Sequence, residues 1–327
     1  MIAHTALDVL TRMPRMEGVT RSRPLDLSGR AVLLAIDGSP AALAATRVAF
    51  ALATQHHARV HAVSVVDTSA APIPPPLDLV IGMAEATIGE EVRERQVNEL
   101  RELIASTIGQ QCDWPIRVML GTPAGAVARE AKHIGAALIV LGLRPHGRLD
   151  RAMHDETVLN VVRTADCPVL GVSERMDHLP KRLLIALDFS ASSTQAAEAA
   201  TAVMEEAGSL VLAYVAPQTG YLPGDGEAVI HELGVKAGFA RLRDVVERPG
   251  TKVDHVVLHH EKPCSVADLL LEYADGADVD LIAAGSARHT RIDRWMLGSV
   301  STDLLRDGRR SVLIVPPRNA AQGEGTS

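Results

Sequence analysis

Gly285-Ser286-Ala287-Arg288-His289-Thr290-Arg291, followed shortly by Gly298-Ser299-Val300-Ser301, is the stretch whose residue types and spacing best suit a chemical task. A glycine leaving a strand admits close approach to the backbone. A Gly-Ser step opening a helix offers N–H donors at the positive end of the helix dipole, and the two together suit a phosphate chain. Arg288, His289 and Arg291 add positive charge beside them. The plainer reading makes Gly285 a turn glycine and Ser299 an ordinary N-cap. A hydrolase or nucleotidyl transferase would need an acid, a base or a metal ligand converging near Gly298, and only His289 is an obvious candidate.

The elements that must position these residues occur twice. Shifting the chain by 143 residues lays Gly142 to Leu170 on Gly285 to Leu313 without a gap, with nine identities in 29 pairs. About two would be expected for unrelated segments at ordinary residue frequencies. The identities include Gly142/Gly285, His146/His289, Arg148/Arg291, Asp150/Asp293, Arg151/Arg294, Met153/Met296 and Arg163/Arg306. A shift of 151 matches Ile36-Asp37-Gly38-Ser39 to Leu187-Asp188-Phe189-Ser190. The unit is far longer than a solenoid repeat, so each copy should own a core. The division expected is an N-terminal extension over 1–30, a first domain over 31–175, a second over 180–317 and a tail over 318–327.

Each copy alternates short apolar runs with Ala/Glu-rich helical stretches, which predicts a parallel sheet with helices on both faces. The runs are 31–36, 60–66, 116–120, 137–142 and 168–172, then 182–187, 209–215, 253–259, 279–285 and 311–315. Helices are expected over stretches such as 41–54 and 195–206. Right-handed crossovers then make each sheet doubly wound, and such sheets bind ligands at the carboxyl edge where strand order reverses. The segments 70–76 and 220–226 read as loops at that edge.

Composition narrows the classes. The chain has 327 residues, 47% of them hydrophobic, with three Phe, three Tyr and two Trp, which implies cores of Ala, Val, Leu and Ile. No apolar run reaches the roughly 18 residues of a membrane span, and residues 1–30 lack the apolar core of a secretory signal. A net charge of −7 without a basic stripe disfavours nucleic acid. Three cysteines without a CxxC pair point to a reducing compartment, the cytoplasm. Neither His56-His57 nor His259-His260 makes a chelate, since adjacent side chains diverge. Ser39 and Ser190 read as N-caps rather than nucleophiles. Cys264, after Pro263, is expected to head a helix in a small-residue role. His133-Ile134-Gly135 matches the opening of a nucleotidyl-transferase signature but falls late in a helix after the third strand, the wrong context.

From about residue 31 to 317 the chain resembles the universal stress protein family. The likeness is carried by Ile36-Asp37-Gly38-Ser39, Ala186-Leu187-Asp188-Phe189-Ser190, LIVLG at 138–142, LIAAG at 281–285 and LGSVSTDLLRDGRRSVLIVPP at 297–317. The resemblance implies an adenine nucleotide α-hydrolase-like, Rossmann-like fold, with the two domains packed as an intrachain pseudo-dimer through 168–172 and 311–315; further pairing into a homodimer stays open. The family's ATP-binding members carry Gly, two residues, Gly, nine residues, then Gly-Ser or Gly-Thr. The second copy matches at Gly285, Gly298 and Ser299 but has Arg288 at the second glycine, which either puts a side chain where phosphate would meet backbone, favouring an empty scaffold, or offers a guanidinium to hold the phosphate itself. The resemblance also places Asp188, with Ala186 and Leu187, and Val215 at ribose and adenine, and carries Val300 and Ser301 into the phosphate-facing turn. In the first copy Pro145 takes the second glycine's place and Asp155-Glu156 replace Gly-Ser, so nucleotide binding is expected to be lost and Asp37 to remain as a structural remnant.

The expectation is therefore a cytoplasmic stress-response regulator holding ATP or another adenine nucleotide in its C-terminal domain. Magnesium would be only the nucleotide's counter-ion, no resident metal is implied, any ATP hydrolysis would be slow, and a protein partner stays unidentified. An interaction scaffold of the same fold with both sites empty is the alternative.

Overall fold

The computed structural model describes residues 25–67, 90–144, 156–217, 225–260, 263–286 and 297–317. Its contacts divide the chain into two compact units, one built on 26–179 with 305–312 and the other on 180–304 with the stretch from Leu313. Both are α/β.

The first copy runs β1 (Ala31–Ala35), α1 (Pro40–His56), β2 (Arg59–Asp67), α2 (Glu90–Ile108), β3 (Ile116–Gly121), α3 (Pro123–Ile134), β4 (Leu138–Leu143), α4 (Glu156–Thr164) and β5 (Val169–Ser173). Its strand order is β3-β2-β1-β4-β5. Every ladder is parallel: Val32 pairs with Val60 and Leu138, Ala62 with Ile116, and Ile139 with Val169. The central strands are apolar on both faces, as a sheet covered twice requires: Val32, Leu33, Leu34, Leu138, Ile139 and Val140 are fully buried.

The second copy repeats the plan with β6 (Arg182–Leu187), α5 (Ala191–Val203), β7 (Ser209–Val215), α6 (Asp225–Val246), β8 (Lys252–Leu258), α7 (Val266–Gly276), β9 (Leu281–Gly285), α8 (Ser299–Asp307) and β10 (Ser311–Val315). The order is β10-β9-β6-β7-β8. All ten strands lie within two residues of the apolar runs that predict them.

The helices depart further from expectation. The segment 195–206 was to be helical, but α5 starts at Ala191, where the Ser190 hydroxyl accepts the Ser193 N–H at 3.3 Å, and stops at Val203 as Met204 turns extended. Nearly every residue of α5 from Ser193 onward is buried, so it has no polar face to mark its limits. The expected loop over 220–226 ends sooner, since Asp225 and Gly226 are the opening residues of α6. Segment 70–76 lies outside the described residues.

The contact that positions the carboxyl edge is between the glycine of the fourth strand and the first turn of the first helix. A Cβ on Gly285 would stand 2.5 Å from the backbone carbon and oxygen of Ser192, and one on Gly142 would stand 2.6 Å from the Ala42 nitrogen. Neither neighbour can move without shifting its helix. Gly142→Ala and Gly285→Ala are each expected to destabilise the protein by about 1–3 kcal/mol, as overpacking does; urea unfolding of each variant checks this, and an unchanged midpoint would refute it.

Candidate functional site

In the second copy the chain goes from β6 outward to β7 and β8 on one side, then returns to β9 and β10 on the other. The strand order therefore reverses between β6 and β9, and their carboxyl ends flank the crevice where doubly wound sheets hold ligands. Ala186 and Leu187 close β6, with Leu187 buried opposite Tyr214. Asp188 follows, exposed, its carboxylate accepting the Ser190 N–H at 2.9 Å. This aspartate turn feeds the cap of α5. Val215 ends β7, half-buried and in register with Leu258 of β8.

Phe189, between the aspartate and the cap, has a left-handed backbone (φ 60°) although it carries a side chain. Such a conformation costs about 1–2 kcal/mol. Burying the ring offsets it, by about 1.5–3 kcal/mol. Phe189 meets Tyr214 at a centroid distance of 5.1 Å and Phe239 edge-on at 5.4 Å. Gly238 of α6 makes room: a Cβ there would lie 2.6 Å from the ring. Burial first and the Asp188 charge second push the Tyr214 phenol above its ordinary range.

On the other side of the crevice Gly285 ends β9, and the Ser286 N–H donates to the Val315 carbonyl at 2.9 Å. The Thr302 N–H donates to the Gly298 carbonyl at 3.0 Å, which makes Gly298 the N-cap. Ser299 is thus the first helical residue of α8. A glycine cap has no side chain with which to occupy the first-turn N–H groups of Ser299, Val300 and Ser301. Ser301 is buried, and its hydroxyl donates to the Gly285 carbonyl at 3.3 Å, tying the helix start to the strand end. Beyond its two chain neighbours, no described atom lies within 4 Å of where a Gly298 Cβ would stand, and its φ is not left-handed. Among the described residues neither crowding nor backbone strain requires glycine there, unlike at Gly285. Arg288, His289 and Arg291 lie outside the described residues, as do Pro145 and Asp155 in the first copy.

The first copy shares the aspartate turn, with the Ser39 N–H donating to Asp37 at 3.0 Å. Here the second carboxylate oxygen accepts from the Arg144 guanidinium, also at 3.0 Å. Asp37 is therefore already paired with a cation. The position opposite Arg144 in the repeat is Ala287, which has no charge to offer Asp188. The sequence reading gives Arg144 no place and Phe189 no role beyond its motif. The Arg144/Ala287 mismatch was visible in the aligned repeat, whereas nothing marked Phe189 as left-handed.

Ser39 and Ser190 are both N-caps. His133 and Ile134 end α3, with Gly135 its left-handed C-cap, so this trio closes a helix. Among the described residues no group of His, Cys, Asp and Glu is arranged to hold a metal ion, and no helix is long and apolar enough to cross a membrane.

Two tandem five-stranded, doubly wound domains, one with an uncapped helix start beside its switch point, define the class. The universal stress protein family model matches residues 29–173 and again 180–316, and the chain belongs to that family. It is 26% identical over 147 residues to the universal stress protein MJ0531 of Methanocaldococcus jannaschii, covering 44% of this chain and 81% of that one. A universal stress protein of Archaeoglobus fulgidus superposes with a TM-score of 0.59 at 17% identity, over 88% of this chain and 98% of its own. A putative universal stress protein of Pseudomonas aeruginosa gives 0.51 at 14% identity, over 88% and 93%. At such identities these structures speak for the fold.

The Asp188 charge acts on Tyr214 as the lesser of two causes, which can be tested. Asp188→Asn should lower the Tyr214 ionisation midpoint without returning it to the ordinary value, since burial persists. Carbon NMR of ring-labelled tyrosine during an alkaline titration reads it; an unmoved midpoint would separate the two groups.

Proposed function

We propose that the second copy binds an adenine nucleotide, ATP in the first instance, and that the chain is a nucleotide-responsive regulator of a stress response in the cytoplasm, acting through a protein partner. The observation that carries this reading is Gly298, a side-chain-free cap opening α8 beside the switch point, with no described residue beyond its chain neighbours near where a Cβ would stand. The backbone N–H groups of Ser299, Val300 and Ser301 would hold phosphate oxygens, and Gly285 would shape the floor beside them. Arg288 would supply a guanidinium for the same oxygens. Asp188 would accept a ribose hydroxyl, while Ala186, Leu187 and Val215 would line the base. A nucleotide bound there would supply a triphosphate whose presence or absence the domain can report, with magnesium only as its counter-ion. Membership of the family supports the reading.

The first copy is read as empty of nucleotide. Its aspartate is engaged by Arg144, and Asp155-Glu156 stand where the second copy has Gly298-Ser299.

Calorimetric titration of ATP into the full chain tests the proposal. The expected result is saturable binding at a single site per chain. Gly298→Asp should weaken it at least tenfold, about 1.4 kcal/mol, by setting a carboxylate against the phosphates. Ala287→Arg, which copies the first domain's pairing onto Asp188, should weaken it too, while Asp37→Asn leaves it unchanged. Thermal unfolding of each variant without nucleotide controls for folding. No heat and no thermal shift with the unaltered chain at millimolar ATP would overturn the proposal in favour of the scaffold.

A further inference from the structure

Outside the candidate nucleotide site, the second copy brings together a thiol and an imidazole in the connection after β8. Cys264 Sγ lies 3.8 Å from His260 Nδ1, and both residues are partly exposed. Cys264 does not head α7, as its position after Pro263 suggests; Ser265 is the N-cap. The Ser265 N–H and hydroxyl both donate to Asp268, at 2.9 and 2.8 Å, and the Asp268 N–H donates back to the Ser265 hydroxyl at 3.1 Å. This reciprocal box fixes the residue next to the thiol, so Cys264 projects from a rigid stem. Neither Cys264 nor His260 has a part in the nucleotide reading.

We propose that Cys264 and His260 form a thiol-modification site that takes a low-molecular-weight disulfide. In the tautomer protonated at Nε2, His260 Nδ1 receives the Cys264 thiol proton as the sulfur attacks one sulfur of the disulfide. A Cys264–S bond forms and the disulfide's S–S bond breaks. The departing thiolate takes the proton from the imidazolium and leaves as a free thiol. Cys264 is oxidised to a mixed disulfide, half of the reagent is reduced, and a second thiol reverses the step. No metal or further oxidant is needed.

The other two cysteines serve as internal references. Cys167 is pushed up to about 12 by burial and by the neighbouring Asp166, which keeps it a thiol. Cys112, in the connection between α2 and β3, is partly exposed. Accessibility alone would place Cys112 level with Cys264, so any difference between them reports on His260.

The full chain is treated at neutral pH with a small aromatic disulfide whose released thiolate is coloured, and the modified cysteine is assigned by peptide mass spectrometry. Cys264 should be modified first and Cys167 last. His260→Gln should slow Cys264 by about tenfold, in keeping with loss of a general base, leave the Cys112 rate unchanged, and respond to added free imidazole by partial recovery. His260→Asn is the second variant should the first fail to fold. Modification of Cys112 as fast as Cys264, or a Cys264 rate indifferent to both substitutions, would overturn the proposal.

Discussion

The carboxyl edge of each domain depends on how closely the first helix lies against the end of the fourth strand. With 2.5 Å between an imagined Cβ on Gly285 and the Ser192 backbone, and 2.6 Å for Gly142 and Ala42, the helix start can sit at this depth only over a glycine. That depth brings the caps Ser39 and Ser190, and the aspartates two residues before them, to the rim of the sheet. The constraint is indifferent to ligands. It accounts for Gly142 persisting in a copy whose helix start reads Asp155-Glu156. Gly285, the most suggestive residue on sequence grounds, is therefore the weaker witness to a phosphate site. Gly298, which nothing among the described residues requires to be glycine, is the stronger.

The aspartate turn is common to both copies, but what surrounds it differs. The first copy has Gly38 at the left-handed position (φ 76°), where glycine is at no disadvantage. The second has Phe189 there, and its ring joins Tyr214 and Phe239 in a cluster that gathers three of the sequence's few aromatic residues. Gly238 on α6 is the matching concession. This cluster stiffens the turn that presents Asp188. A carboxylate on a braced turn would lose little freedom if it bound the proposed ligand.

Much of the architecture was legible because parallel strands covered on both faces read as short, unbroken apolar runs, and because the duplication allowed each assignment to be made twice. The limits of α5 were not, since a helix buried nearly all round has no polar stripe, and the capping hydroxyl of Ser190 decided its start. Cys264 was misplaced for a similar reason: Ser265 with Asp268 completes a reciprocal cap that outcompetes the preceding position. The residues proposed for the nucleotide were legible as a spacing. Which of them the fold itself consumes, as it does the Ser301 hydroxyl and the Cβ space of Gly285, emerged only from packing.

Magnitudes decide what separates the two copies. The Asp37–Arg144 pair is more than half exposed on both sides, 63% and 57%, and such a pair contributes only about 0–1 kcal/mol. A tightly held nucleotide would displace it, so the arginine alone cannot close the first copy. The heavier difference lies at the helix start. Under the proposed reading, open first-turn N–H groups under the Gly298 cap would attract phosphate, whereas the first copy's sequence has Asp155-Glu156, two residues of the ligand's own sign, at the matching positions. Charges of like sign in a partly desolvated crevice cost several kcal/mol at separations of about 4 Å. On that reading the helix start would govern whether a copy can accept phosphate, and the carboxylate at the end of the domain's first strand would refine what it accepts.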